Sequence, residues 1–96
     1  MVVVIARLQA HPKVPEQEQL LSGGAVCFAL LQAAQALGFG AQWLTGWAAY
    51  DPVVRARLGL GADERLLGFI HIGSAAAPAP ERQRPALAEK LSDWVP

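Results

Sequence analysis

The stretch Gln17-Glu18-Gln19-Leu20-Leu21-Ser22-Gly23-Gly24-Ala25-Val26-Cys27-Phe28-Ala29-Leu30-Leu31-Gln32-Ala33-Ala34-Gln35-Ala36-Leu37-Gly38-Phe39-Gly40-Ala41-Gln42-Trp43-Leu44-Thr45-Gly46 reads as a long helix, a glycine stop, a short strand and a turn. The helix is predicted from about Glu16 to Leu37. Pro15 suits its entry, and Glu16 and Glu18 place negative charge in the first turn, where it complements the helix dipole. Leu20, Leu21, Val26, Phe28, Leu30, Leu31, Ala34 and Leu37 spread over well over half of the circumference. That exceeds one surface stripe, so the helix is expected to be buried on two sides. Gly38 is the natural stop after its last turn. Ala41 to Leu44 is a strand candidate, and Thr45-Gly46 a turn.

Working outward, Val2-Val3-Val4-Ile5 opens a strand from Val2 to Leu8 whose consecutive β-branched residues suggest burial on both faces, in the middle of a larger sheet. His11 to Pro15 reads as a loop. Asp51-Pro52 is a start signal, Asp as N-cap and Pro at N1, for a helix running to about Leu58. Arg65 to Ile72 carries Leu66, Leu67, Phe69, Ile70 and Ile72 and reads as a second buried strand closing at Gly73. From Ser74 the composition turns to Ala, Pro, Glu, Arg and Gln, and Pro78, Pro80 and Pro85 favour an extended arm. Leu87, Leu91 and Trp94 are spaced for a short helix within Pro85 to Val95. Residues 1–96 therefore make one domain at most, with residues 74–96 as its C-terminal arm.

A chain of this length buries only about 60 to 65% of the surface it exposes unfolded, so its stability gains from a partner. Its apolar fraction is 53% before the nine glycines are added, which leaves surface to give to another subunit. Eight basic and eight acidic side chains cancel, and neither sign forms a block. Nucleic acid and anionic membrane surfaces are therefore poor partners for it. The single Cys27 cannot close an internal disulfide and fits a reducing compartment. The apolar run at Met1 to Leu8 is too short for a signal peptide, and no uninterrupted apolar run approaches spanning length. A cytoplasmic protein is expected.

The glycines invite a dinucleotide fingerprint, and the pattern fails. Gly38-Phe39-Gly40-Ala41-Gln42-Trp43 has Trp where a third Gly belongs, and it follows a helix and precedes a strand, the reverse of the order that aims amides at a pyrophosphate. Gly59-Leu60-Gly61-Ala62-Asp63-Glu64 fails in the same way. Gly23 and Gly24 inside a helix each cost about 1 kcal/mol relative to Ala. They imply close packing against another helix or strand, or room for a flat cofactor or a second subunit's helix. Cys27, His11 and His71 match no zinc spacing and read as structural. No carboxylate dyad is visible. Trp43, Trp47 and Tyr50 cluster near the turn, as core or interface aromatics do, beside Gln42 and Thr45, which can hydrogen-bond a ring or a phosphate.

Lys13-Val14-Pro15 with Glu18-Gln19, Ser22-Gly23-Gly24-Ala25-Val26, Leu37-Gly38-Phe39-Gly40, Trp43-Leu44-Thr45-Gly46, Asp51-Pro52-Val53-Val54-Arg55 and Leu67-Gly68-Phe69-Ile70-His71-Ile72-Gly73 fall in an order that resembles the nitroreductase family, in its small NAD(P)H nitroreductase branch. No one motif is diagnostic; their order and spacing together are. The likeness runs over nearly the whole chain but corresponds only to the C-terminal part of the family's fold.

The resemblance implies the C-terminal part of a nitroreductase-like α+β flavoprotein, a long central helix with mixed or antiparallel strands, dimerising with FMN at the subunit interface. By similarity Trp43, Leu44 and Thr45 would contact FMN, and Ala33, Ala34, Gln35, Ala36, Leu37 and Gly38 would meet the nicotinamide nucleotide, NAD(P)H. The implied function is an FMN-dependent NAD(P)H oxidoreductase that passes hydride through the flavin to nitro or quinone-type acceptors. Catalysis by the cofactor would explain the lack of an acid/base constellation. Many family members carry Arg in a Trp-Arg-Ser/Thr-Gly motif; here Leu44 stands in its place and cannot pair with a phosphate. The family's Arg/Ser-rich phosphate-gripping segment is also missing, so the chain is expected to be truncated or split, partnered by a second copy or by a chain supplying the N-terminal half. The alternatives are a dimerising, non-catalytic remnant without flavin, and a helical interaction module unrelated to flavins.

Overall fold

The computed structural model describes residues 1–95. Three strands form one antiparallel sheet: β1 (Val2–Arg7), β2 (Gly40–Leu44) and β3 (Glu64–Gly73), in the order β1-β3-β2. The last strand in sequence is thus the central one. Between β1 and β2 runs α1 (Glu16–Ala36). Between β2 and β3 lie a single 3-10 turn, Trp47–Ala49, and the short helix α2 (Pro52–Arg57). A nitroreductase-like α+β layout was expected from the sequence, and the helix and the antiparallel three-stranded sheet agree with it.

Register explains how the sheet meets the helix. Val2 pairs with Ile70, Val4 with Gly68 and Ala6 with Arg65, while Trp43 pairs with Ile70 and Ala41 with Ile72. The β1–β3 register shifts between Val4 and Ile5, leaving Leu67 without a partner, as at a β-bulge. A Cβ placed on Gly23 would land on the Leu67 side chain and lie 3.8 Å from Ala6, so α1 sits tight against both strands at that glycine. Leu20, Gly23, Gly24, Cys27, Leu30, Leu31 and Ala34 form the sheet-facing stripe, every one buried or half-buried. Cys27 and Ile70 have no exposed surface at all. Burial pushes the Cys27 thiol above its ordinary pKa, because a thiolate there would lose its hydration.

Local signals govern the ends of the elements. The Asp51 carboxylate accepts from the Val53 and Val54 amides at 2.8 and 3.0 Å, and Pro52 opens α2. Gly38 takes φ +84° where α1 stops. At the entry to α1 the Gln19 side chain accepts from the Gln9 amide and donates to the Gln9 and Val14 carbonyls. His11 Nδ1 accepts from the Lys13 and Val14 amides. These bonds tie down a loop that has no regular structure.

Several expectations are corrected. β1 is an edge strand of this sheet and not a strand buried on both faces; β3 covers one side, and Val2 and Ile5 stay exposed. β3 pairs along its length. Only one side of α1 is buried within the chain; Leu21, Val26, Phe28 and Leu37 are exposed. The helix within Pro85 to Val95 shrinks to one 3-10 turn, Leu87–Glu89, because its apolar side chains have nothing to bury against and so short a helix is marginal alone. The arm is exposed from Ser74 to Val95. Finally, α1 at 21 residues is long and apolar enough to cross a membrane by length and composition. Its seat on the sheet accounts for the apolar residues of one side only.

Candidate functional site

The residues singled out from sequence fall at opposite ends of β2. Ala33 to Gly38 occupy the last turn of α1 and its stop. Ala34 is buried and its carbonyl accepts from the Phe39 amide at 2.9 Å, while Ala33, Gln35, Ala36, Leu37 and Gly38 are exposed. Trp43, Leu44 and Thr45 close β2 at its other end. Six residues of mostly extended chain, 39–44, separate Gly38 from Thr45, about 20 Å at strand rise. The two groups are brought onto one edge of the sheet but not into contact.

At the Trp43 end the backbone turns sharply. Gly46 has φ +60° and ψ −168°, a combination that essentially only glycine adopts. Just before it, Leu44 and Thr45 are exposed. The Trp43 indole is engaged otherwise: its Nε1–H donates to the Leu67 carbonyl at 3.0 Å, and its far edge reaches toward Gly24 of α1. Trp47 and Tyr50, grouped with Trp43 in the sequence, point mostly into solvent, while Ala49 between them is buried.

At the Gly38 end the sheet opens into a cleft of about 400 Å³, bordered by Gly40, Gln42, His71, Ile72, Ser74 and Ala75 and by Met1. Gln42 pairs with His71 in the β2–β3 register, so an amide and an imidazole stand side by side at its wall. Sequence reading had placed His71 on a strand without seeing this neighbour. Only the register, which joins residues far apart in the chain, could have revealed it. No Lys or Arg side chain lines the cleft; its polar side chains are the Gln42 amide, the His71 imidazole and the Ser74 hydroxyl. Among the described residues no group of three or more metal-ligating side chains is present.

The sequence profile of the nitroreductase family matches residues 1–74. The chain belongs to the nitroreductase family. It is 35% identical over 74 residues to the putative NAD(P)H nitroreductase YdjA of Escherichia coli (strain K12), a match covering 77% of this chain and 40% of that protein. It is 34% identical over 67 residues to a putative NAD(P)H nitroreductase of Haemophilus influenzae, covering 70% and 36%. In structure it resembles the nitroreductase-like family protein from Bacillus cereus, with a TM-score of 0.83 and 23% identity over 94% of this chain and 48% of that one. The chain thus spans about 40% of the length of the curated nitroreductases it matches, and the family match stops where the arm begins.

The flavin that the family implies can be tested against these residues. The exposed Leu44–Gly46 backbone, the Thr45 hydroxyl and the apolar side chain of Leu44 fit the edge of a flat heteroaromatic ring. They do not fit a phosphate dianion: Leu44 is apolar. Arg55 donates to the Glu64 carbonyl at 3.0 Å and Arg7 pairs with Asp63 at 3.1 Å, both at the start of β3, whereas Leu44 pairs with Phe69 further along it. The turn itself thus offers a ring-edge surface and carries no charged side chain for a phosphate.

Proposed function

We propose that this nitroreductase-family chain forms part of an FMN-dependent NAD(P)H oxidoreductase acting on nitro or quinone-type acceptors. The observation that carries the reading is the exposed Leu44–Gly46 turn, held at the end of β2 within the stretch that matches the family profile. When bound, FMN supplies the hydride chemistry, accepting two electrons from a nicotinamide and passing them on. The chain's own contribution is to present the Leu44–Gly46 backbone and Thr45 to the ring. The last turn of α1, Ala33 to Gly38, with the Gln42–His71 cleft beside it, is our proposed seat for the nicotinamide nucleotide. Charge neutralisation of the flavin phosphate is assigned to groups outside the described residues.

The exposed outer side of α1, with Leu21, Val26 and Phe28, is the proposed contact for a second copy. A second reading, a dimerising subunit that binds no flavin, is favoured by the uncharged Leu44–Gly46 turn, which offers a phosphate no cationic side chain of its own. Adding FMN to the purified protein separates the two. Quenching of flavin fluorescence with saturable stoichiometry, followed by quinone-stimulated NAD(P)H oxidation, is the expected result. Association without any flavin response would leave the non-catalytic reading.

A further inference from the structure

We infer that Trp43 and Gly68 are positioning residues: the indole, seated in the β3 bulge, sets the backbone of Leu44 to Gly46 and is not itself a ligand contact. The part of this that concerns a ligand rests on the flavin reading above; the seating does not. An indole has a single polar group, its N–H donor. In Trp43 that donor is committed to the Leu67 carbonyl at 3.0 Å, leaving nothing polar to offer a ring or phosphate. Leu67 is the residue without a partner at the β1–β3 register shift. The indole therefore docks where β3 departs from regular pairing, the kind of place where a bulge re-aims neighbouring groups.

Gly68 makes the docking possible. A Cβ there would fall on the Nε1 and Cδ1 atoms of the indole and lie 3.2 Å from the Leu44 carbonyl oxygen. Absence of that carbon lets the ring lie on β3 and lets the end of β2 come close. At the far edge of the ring, a Cβ on Gly24 would stand 3.7 Å from Trp43 Cη2, an ordinary contact that ties the ring to α1. Three points thus hold the side chain immediately preceding Leu44-Thr45-Gly46. The other tryptophans have no comparable seat: Trp47 is 76% and Trp94 85% exposed.

The test is amide and indole hydrogen exchange on the isotopically labelled full chain without FMN, then an FMN titration of the same sample. The Trp43 indole N–H should exchange at least about tenfold more slowly than those of Trp47 and Trp94. Trp43→Phe keeps an apolar ring but removes the donor. It should accelerate exchange of the Gln42 to Leu44 amides about tenfold, leave the α2 amides unchanged, and weaken FMN binding by a similar factor. Gly68→Ala should act in the same direction, and its effect should shrink in a Trp43→Ala background, where no indole is left to displace and only the approach to the Leu44 carbonyl oxygen remains. On FMN addition the Leu44, Thr45 and Gly46 amides should shift more than the Trp43 indole. Unchanged β2 exchange in Trp43→Phe, or an indole resonance that responds to FMN more than those amides, would overturn the inference. Wild-type protein indifferent to FMN would remove the flavin reading alone, and the flavin-free exchange data would still decide the seating.

Discussion

The two faces of α1 are built from similar residues and have different fates. Toward the sheet, Leu20, Gly23, Gly24, Cys27, Leu30, Leu31 and Ala34 alternate large and small, and the glycines let Leu67 and Trp43 approach the helix. Toward solvent, Leu21, Val26, Phe28 and Leu37 are at least half exposed, and no charged side chain occurs between Gln19 and Leu37. Composition does not separate the faces. What separates them is the glycine pair, since Gly23 and Gly24 lie on the sheet side while the outer side carries small residues no smaller than Ala25, Ala29, Ala33 and Ala36. A helix apolar all round states how much surface wants cover, and the positions of its smallest residues state which side a sheet can reach.

Substitutions can break or sharpen this contrast. The strongest test lies under the inner face, where Ile70 is fully buried on β3. Ile70→Ala should cost about 2 to 5 kcal/mol in urea unfolding, as buried aliphatic truncations do. Next is thiol access. Cys27, buried with its pKa raised, should react with a thiol reagent in the native state about 100-fold more slowly than a cysteine installed by Ala29→Cys in a Cys27→Ala background. Equal rates would erase the distinction between the faces. Gly23→Leu should overpack against Leu67 and cost about 1 to 3 kcal/mol by the same unfolding measurement. Phe28→Gln on the outer face should change unfolding stability by less than about 0.5 kcal/mol, with any effect appearing in self-association by sedimentation instead.

The smallest effect is expected away from both faces, at Asp63. Its carboxyl is held below the usual range, first by the hydrogen bond from Arg7, whose Nε donates at 3.1 Å. A depressed carboxyl pKa means that the unfolded chain binds more protons than the native one near the ordinary carboxylate pKa. The pair's contribution is therefore present above that value and is lost as the pH falls through the lower native one. Asp63→Asn should flatten this acid limb in a pH series of melting temperatures. Both groups are exposed, so added salt should shrink the difference further.

Legibility in the sequence followed distance along the chain. The Asp51-Pro52 cap and the Gly38 stop were readable because each is decided within a few residues. The span of α1 was readable from its periodicity. The edge position of β1 was not: four β-branched residues describe a strand that wants cover, and where β3 pairs is settled some sixty residues later. Leu87, Leu91 and Trp94 carried helical spacing, but spacing needs a surface to act against, and the arm has none. At the candidate site, Trp43, Leu44 and Thr45 were marked by family likeness. The seat of the indole depended on Gly68, whose absent side chain means little until β2 and β3 are side by side. The Gln42–His71 pair was hidden for the same reason.

The central place of β3 has a consequence for how this chain can fold. β1 and β2 are not neighbours, and each finds its hydrogen-bonding partner only in residues 64–73. Until those residues are available, two strand edges and the inner stripe of α1 have nothing to close upon. Pairing of the second residue with the seventieth also demands that nearly the whole chain be looped first, the kind of non-local contact that slows folding. Sheet formation is thus gated by the last strand made, and during synthesis the earlier segments stay sticky until it emerges.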